Sequence, residues 1–315
     1  MNVLITGAAG NLGGFLARHL LGGPHTLNLL THRRPLPPNL AGAPGVAVHR
    51  ADLSDPASLA EPCRNVDCIV HFAGVLFAPR PERFLPTTNV TYVRHLVAAA
   101  RAAGVRKFIL ISFPHVEGES SPEHPATDRL DGRPASVHAQ TRLAAEQHLF
   151  AACQGTSMTP VVLRAGMIYG KGVLMIEAAR WLARRRLLAV WRDPTWIHLI
   201  ALPDFLACVR ASIDRDAVSG IYNLGDDQPM TLQEFLDTAA VHWGCRKPWR
   251  APRWSFYAAA WCCEAVAAMF NTASPLTRDF IRIGMASYTS DTSRMKSELL
   301  PTLAFPTLEA GSPLL

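Results

Sequence analysis

No run of about 18 uncharged apolar residues occurs in the chain, so no membrane-spanning helix is expected. The nearest approach, Trp254 to Phe270, is interrupted by Glu264. The seven cysteines are scattered; Cys262 and Cys263 are adjacent, but there is no CxxC pair and no zinc spacing. That absence argues against a disulfide framework and a metal site, and it points to free thiols in a reducing, cytoplasmic setting. A signal-peptide pattern is also missing, because the N-terminal Asn2–Gly7 stretch is too short an apolar run and already reads as a strand. Charge of one sign is not concentrated. The net charge is +6, and the densest basic clusters are His32-Arg33-Arg34 and Arg184-Arg185-Arg186. Neither a basic stripe nor a recognised module for nucleic acid is present, so no nucleic-acid partner is expected. Internal repeats and low-complexity segments are absent as well.

What remains is a globular pattern. The 315 residues are 49% apolar and 18% charged, enough for a sizeable core. In the first half, short β-rich runs alternate with helical runs. Strands are expected at Val3–Thr6, Thr26–Leu30, Val46–His49, Cys68–Phe72, Lys107–Ser112 and Thr159–Arg164, and helices at Leu12–Leu21, Ala57–Cys63, Val90–Ala103 and Ala139–Cys153. This alternation predicts an α/β fold, a Rossmann-type doubly wound parallel sheet. We divide the chain into a dinucleotide-binding domain, 1–165, and a smaller mixed α/β substrate-binding region, 166–315, with some segments returning to the sheet. The segment Phe113–Val137 has four prolines and no periodicity, and it reads as a functional loop.

Thr6-Gly7-Ala8-Ala9-Gly10-Asn11-Leu12-Gly13 follows a strand and opens a helix. Glycine at 7 permits the tight turn, at 10 lets the backbone approach a pyrophosphate, and at 13 lets helix pack on strand. The helix N-terminus then offers amide donors to phosphate. Gly7, Ala9, Gly10, Asn11, Leu12 and Gly13 are therefore candidate cofactor contacts. The second strand ends in Thr31-His32-Arg33-Arg34 with no Asp or Glu at its tip. An acid there would hold a ribose 2′-hydroxyl, whereas Arg33 or Arg34 suits a 2′-phosphate. NADP(H) is the preferred cofactor, with NAD(H) as the alternative.

From Thr6 to Gly13 the chain resembles the extended short-chain dehydrogenase/reductases, closest in flavour to members like 3β-hydroxysteroid dehydrogenases and dihydroflavonol reductases. Further segments agree in order along nearly the whole chain. Asp52-Leu53 resembles the acidic dipeptide that meets the adenine. His71-Phe72-Ala73-Gly74 is similar to the family's strand end, and Asn89 to its helix-start asparagine. Leu163 to Gly170, including Ala165 and Ile168, resembles the LRxxxxYG segment beside the nicotinamide. Trp196-Ile197-His198-Leu199-Ile200 with Asp204 resembles the substrate-side strand and its helix cap. The resemblance implies that Asp52, Leu53, Phe72, Ala73, Gly74, Asn89, Ala165 and Ile168 line the cofactor.

The family's chemistry needs a Tyr and a Lys four residues apart on one helix, plus a Ser from the preceding strand. Alignment puts His138 at the tyrosine, Arg142 at the lysine and Phe113 at the serine, with Ser112 one position earlier. Arg142 can still donate to ribose hydroxyls but cannot act as a base. His138 can exchange a proton near neutral pH. Ser112 could polarise a substrate if the strand end twists; His115 and Ser136 are further candidates, and Tyr169 is expected to pack. We keep His138, Arg142 and Ser112 as the catalytic candidates, with Ser112 and Arg142 also facing the cofactor. Three functions stay open: an oxidoreductase on a carbonyl or alcohol, a non-redox isomerase, cyclase or lyase, and a catalytically silent NADP(H) sensor.

The C-terminal part is rich in tryptophan. Ala258, Trp261, Cys262, Ala265, Val266 and Met269 share one helical stripe, expected to be core, with a pocket lid or a docking surface as the alternatives. The resemblance of this tail suggests a small hydrophobic substrate. The helices Val90–Ala103 and Ala139–Cys153 correspond to those that form a four-helix dimer interface in the family, which implies a homodimer.

Overall fold

The computed structural model describes residues 1–72, 74, 81–270, 272, 274 and 276–315. Its strands are β1 (Asn2–Thr6), β2 (Thr26–Thr31), β3 (Val46–Arg50), β4 (Cys68–His71), β5 (Lys107–Ser112), β6 (Thr159–Ala165), β7 (Met167–Tyr169), β8 (Ala189–Trp191), β9 (Trp196–Ile197), β10 (Leu199–Ala201), β11 (Gly220–Leu224), β12 (Met230–Thr231) and β13 (Trp249–Ala251). Seven of them form one parallel sheet in the order β11-β6-β5-β4-β1-β2-β3. The strand order reverses between β1 and β4, which opens a crevice at their carboxyl ends. This is the doubly wound α/β architecture that the alternating pattern predicts.

The strands form where they do because both sheet faces are covered. β4 and β5 are buried at every position, as continuous apolar runs between two helix layers must be. One core face gathers Val3, Ile5, Leu16 and Leu29; the other gathers Leu4, Leu96, Phe108 and Leu149. β11 comes from the second half of the chain and joins the main sheet beside β6. The remaining strands make three small pairs, β7 with β10, β9 with β12 and β8 with β13, away from the main sheet.

The helix before β5 differs in its bounds from the sequence expectation. The helix expected at Val90–Ala103 runs Tyr92–Ala102, and a wider-pitched turn, Pro86–Thr91, leads into it. The segment 113–137 is a loop, as expected, and it is pinned. Thr127 N and Arg129 N donate to Glu117, and Ala126 forms a bridge to Ser290.

The C-terminal stripe is the larger correction. The helix Arg253–Met269 is where periodicity places it, but Trp261, Val266 and Met269 are 60, 54 and 78% exposed. Ala258, Cys262 and Ala265 are exposed too, so the expected core stripe faces outward. Helical spacing fixes which residues share a face; it does not fix whether protein or water meets that face.

Candidate active site at the sheet switch point

The phosphate cradle closes as its glycines require. Gly7 sits at φ 72°, and Gly10 N donates to Gly7 O at 2.8 Å. A Cβ on Gly13 would lie 2.4 Å from Gly7 O, so only glycine lets this helix approach β1. The helix Asn11–Leu20 starts at Gly10 with no side-chain cap, which leaves its N-terminal amides available to an anion. The site therefore fits a dinucleotide. Ala9 and Leu12 lie half-buried in the same turn. Asn11 does something unforeseen: its Nδ2 donates to Gly172 O and its Oδ1 accepts from Leu174 N, both at 2.9 Å. It ties the cradle to the second half of the chain.

Arg33 and Arg34 stand exposed past β2, and among the described residues neither has an ion-pair partner. Asp52 accepts from Ser54 N at 2.9 Å and lies 3.3 Å from His32 Nε2. The Ser54 hydrogen bonds, more than the nearby cations, hold its carboxyl below the usual range. Leu53 is half-buried, and its carbonyl lies 2.9 Å from His95 Nδ1. At the end of β4, Phe72 meets Phe205 edge to face. Ala73 lies outside the described residues.

The helix Val137–Cys153 carries the altered pair. It begins two residues earlier than expected, so His138 lies inside its first turn. Ser136 Oγ accepts from Ala139 N at 3.1 Å, which makes Ser136 a helix cap. Asp279, from a helix more than a hundred residues later, accepts from Val137 N at 3.0 Å and from His138 N at 3.3 Å. Sequence reasoning missed Asp279, since nothing local to it signals a cap on so distant a helix. Asn89 Nδ2 donates to Thr141 Oγ1 at 3.1 Å, and Thr141 Oγ1 donates to His138 O at 2.9 Å. The asparagine thus braces this helix.

His138 and Arg142 are four residues apart on that helix and share a face. Arg142 Nη1 donates to Ile111 O at 3.3 Å, and its Nη2 lies where a Cβ on Gly74 would come within 2.5 Å. The guanidinium therefore rests on the strand end β4. Burial draws its pKa down to about 10, with Glu146 opposing, so it stays cationic. His138 is 4% exposed and packs edge-on to Phe113, with ring centroids 5.2 Å apart. Phe113 also meets His115 at 5.1 Å, and His115 meets Tyr288 at 4.2 Å. Burial first, then Arg142 and His115, lower the His138 pKa to about 3. Its Nδ1 is buried with no hydrogen-bond partner.

Other candidates are placed elsewhere. Ser112 Oγ donates to Glu146 Oε1 at 2.5 Å. Glu146 and Glu117 flank the fully buried Arg164, with contacts of 2.6 and 2.5 Å. Ser112 belongs to this ion-pair network, so its hydroxyl is engaged by Glu146 rather than set toward a substrate. Tyr169 is fully buried beside Phe235, as expected of a packing residue. Ala165 is buried at the end of β6, and Ile168 is half-buried in β7. Asp204 caps no helix; it accepts from Ala304 N and Phe305 N and so holds the C-terminal segment. All seven cysteines are free, and among the described residues no cluster could hold a metal.

The model of the NAD dependent epimerase/dehydratase family matches residues 3–225, which include the cradle, the strand ends and the His138 helix. The chain belongs to this family. Its class is that of the extended short-chain dehydrogenase/reductases, NAD-dependent oxidoreductases, epimerases and dehydratases. A 2-alkyl-3-oxoalkanoate reductase of Stenotrophomonas maltophilia is 28% identical over 255 residues, 75% of this chain and 74% of that one. A uronate dehydrogenase of Pseudomonas putida is 37% identical over 116 residues, 37% of this chain and 42% of that one. Among solved structures, MoeE5 in complex with UDP-glucuronic acid and NAD superposes with TM-score 0.77 at 22% identity, covering 100% of this chain and 97% of that one. At that identity the likeness is one of fold. No helix among the described residues is long and apolar enough to cross a membrane.

Proposed function

We propose that this family member is an NADP(H)-dependent oxidoreductase acting on the carbonyl or alcohol of a small hydrophobic substrate. In it, Phe113, His138 and Arg142 take the places of the family's Ser, Tyr and Lys. The observation that carries this reading is the line from Gly74 through Arg142 to His138 at the carboxyl ends of β4 and β5. Gly7, Gly10 and Gly13 would hold the pyrophosphate, Arg33 and Arg34 the 2′-phosphate, and Arg142 the ribose hydroxyls. The dinucleotide, when bound, supplies or accepts the hydride.

The pKa of about 3 sets the role of His138. At neutral pH it is an uncharged imidazole, so an imidazolium cannot deliver the proton. A neutral imidazole N–H still donates a hydrogen bond to a carbonyl, and its acidity lies closer to that of the product alcohol than an imidazolium's does; it would pass that proton to the alkoxide left by hydride addition and regain one from water. His138 thus polarises the substrate oxygen while Arg142 supplies the local positive charge. Phe113 replaces a hydroxyl with a ring, which favours apolar over sugar substrates. A cleft of about 960 Å³ has Phe84, Tyr257 and Trp261 in its walls and Glu82, Glu264, Arg83 and Arg282 among its polar groups; it meets the His138 helix through Asp279, which accepts from His138 N, and not through the His138 ring. An alkyl-substituted 3-oxo acid, the class in the Stenotrophomonas relative's name, suits such a lining.

The test is NADPH oxidation by the purified protein with 2-alkyl-3-oxoalkanoates. Substrate-dependent oxidation that His138→Ala cuts by about 10²-fold or more supports the reading. Tight NADPH binding without turnover, together with a partner whose affinity follows NADP(H), replaces it with the sensor; the depressed His138 pKa is what favours that second reading. Turnover with no net change in reduced nicotinamide replaces it with an isomerase, cyclase or lyase. We further propose a homodimer through the helices Tyr92–Ala102 and Val137–Cys153, which sedimentation tests.

A further inference from the structure

The helix Arg253–Met269 meets the protein along a narrow line. Only Ala260 and Ala267 on it are buried. Its outward side carries Trp254, Trp261 and Met269, exposed by 71, 60 and 78%, and Phe270 just beyond is 67% exposed. Its 17 residues include one acid, Glu264, which pairs with Arg278 at 2.6 Å. Exposed apolar surface of this extent, continuous along a helix, marks a surface that something covers.

A second observation says what covers it. The pairing of β13 with β8 sets the start of this helix beside the segment that follows the helix Leu174–Arg184. Trp249 Nε1 donates to Arg186 O at 3.0 Å, and Arg253 pairs with Asp193 at 2.8 Å. This neighbour adds Leu174, Trp181 and Leu187, exposed by 61, 51 and 61%. Cations rim the patch. Residues 174–192 hold five arginines and a single acid, Glu177; residues 246–253 hold three arginines, one lysine and no acid. Arg184, Arg185, Arg186, Arg192 and Arg246 are exposed. Asp237 engages Lys247 and Arg250, which leaves the other cations in excess. Four of the seven tryptophans, Trp181, Trp249, Trp254 and Trp261, are exposed; Trp181 and Trp249 lie in these two segments, and Trp254 and Trp261 on the helix that follows the second.

We propose that this face docks the protein onto an anionic lipid surface. The apolar stripe alone would accept several covers; the cationic rim selects among them. A second copy would have to set acids against these arginines, and residues 174–192 and 246–253 supply only Glu177. A purely apolar protein groove would leave the rim without counter-charge. A phospholipid interface satisfies both: tryptophan rings sit at headgroup depth, apolar side chains enter the acyl boundary, and arginines meet lipid phosphate. Such docking lies on the membrane and needs no spanning helix. Trp261 also lines the cleft proposed for the substrate, so the docking is tested at Trp254 and Met269, which do not.

The test is co-sedimentation of the full-length chain with phosphatidylcholine vesicles, with and without one-quarter phosphatidylglycerol. The expected result is binding to the anionic vesicles, with a blue shift of tryptophan emission, that high salt reverses. Trp254→Ser with Met269→Ser should abolish the shift. Arg184→Gln with Arg185→Gln and Arg192→Gln should weaken binding by about a hundredfold, at roughly fivefold per arginine. Circular dichroism and dinucleotide binding confirm that each variant is folded. No vesicle binding by the folded wild-type chain overturns the proposal. So does equal binding to neutral vesicles. A dimer that Trp254→Ser dissociates, with no lipid binding, assigns the face to a second copy instead.

Discussion

The guanidinium of Arg142 lies against the α-carbon of Gly74, so close that a methyl group there would come within 2.5 Å of Nη2. The contact links the strand end β4 to the helix that carries His138. It also explains why glycine is needed where no special backbone angle is. The atom in the way is the tip of a flexible side chain, so Gly74→Ala should leave the fold intact, with a stability change under about 1 kcal/mol. It should, however, push Arg142 off the strand end. The expected outcome is a dinucleotide affinity lower by about tenfold, one lost charge-assisted contact, read by titration calorimetry. An unchanged affinity would mean that Arg142 does not touch the cofactor.

Three buried histidines tie stability to pH. Burial lowers His71 and His138 to about 3, with Arg142 contributing to both and His115 to the second, and lowers His115 to about 4. Unfolded, each takes a proton near pH 6.5. The folded values are depressed, so above pH 6.5 neither state is charged and nothing is lost. Below it the unfolded chain gains protons that the folded one refuses, and stability falls as the pH drops from about 6.5 toward 4. At pH 5.5 each histidine costs on the order of 1.4 kcal/mol relative to pH 7.5, about 4 kcal/mol for the three. Burial raises Asp128 to about 6 and Asp226 to about 7, so these folded carboxyls take up protons in the same window and offset part of that loss. His138 is therefore read as a difference: in urea unfolding, His138→Gln should lose about 1.4 kcal/mol less than wild type between the two pH values. A loss unaffected by that variant would place its ring in water.

The cradle and the sheet were legible because they depend on local rules: glycines at a fixed spacing, continuous apolar strands and helix stops. The altered pair was legible too, because a helix fixes residues four apart on one face. What failed needed distant partners. Asp279 caps the His138 helix from another part of the chain. The stripe from Ala258 to Met269 had its periodicity right and its environment wrong, because amphipathic spacing carries no label for what lies opposite. Ser112 is intermediate. Neighbouring strand residues point to opposite faces, so alternation alone sets Ser112 opposite Phe113; its partner, Glu146, emerged only with the fold.

That network makes a discriminating pair of variants. Arg164 is fully buried between Glu117 and Glu146. Ser112→Ala removes one hydrogen bond and should cost about 1 kcal/mol in stability, while kcat stays unchanged. Arg164→Met leaves two carboxylates facing each other without their cation and should cost about 3–5 kcal/mol. Chemical denaturation and steady-state turnover, measured together, separate these effects. A Ser112→Ala enzyme that is as stable as wild type but catalytically dead would restore the serine to the active site.

The proposed preference for NADP(H) rests on the tip of β2. Arg33 and Arg34 are exposed, and among the described residues they have no ion-pair partner. The nearest acid, Asp52, is occupied by Ser54 and His32. A phosphate on the ribose would meet two free guanidinium groups there, each worth about 1.5–3 kcal/mol in a charge-assisted bond. Arg33→Ala with Arg34→Ala should therefore weaken NADPH binding by about 10²-fold or more and leave NADH binding within about twofold. The gap between the two cofactors should also narrow as salt rises, since both arginines lie in water. Equal losses for NADPH and NADH would show that the arginines act on the shared adenosine and not on the 2′-phosphate. A wild-type preference for NADH would place the specificity elsewhere, with Asp52 the first carboxylate to replace.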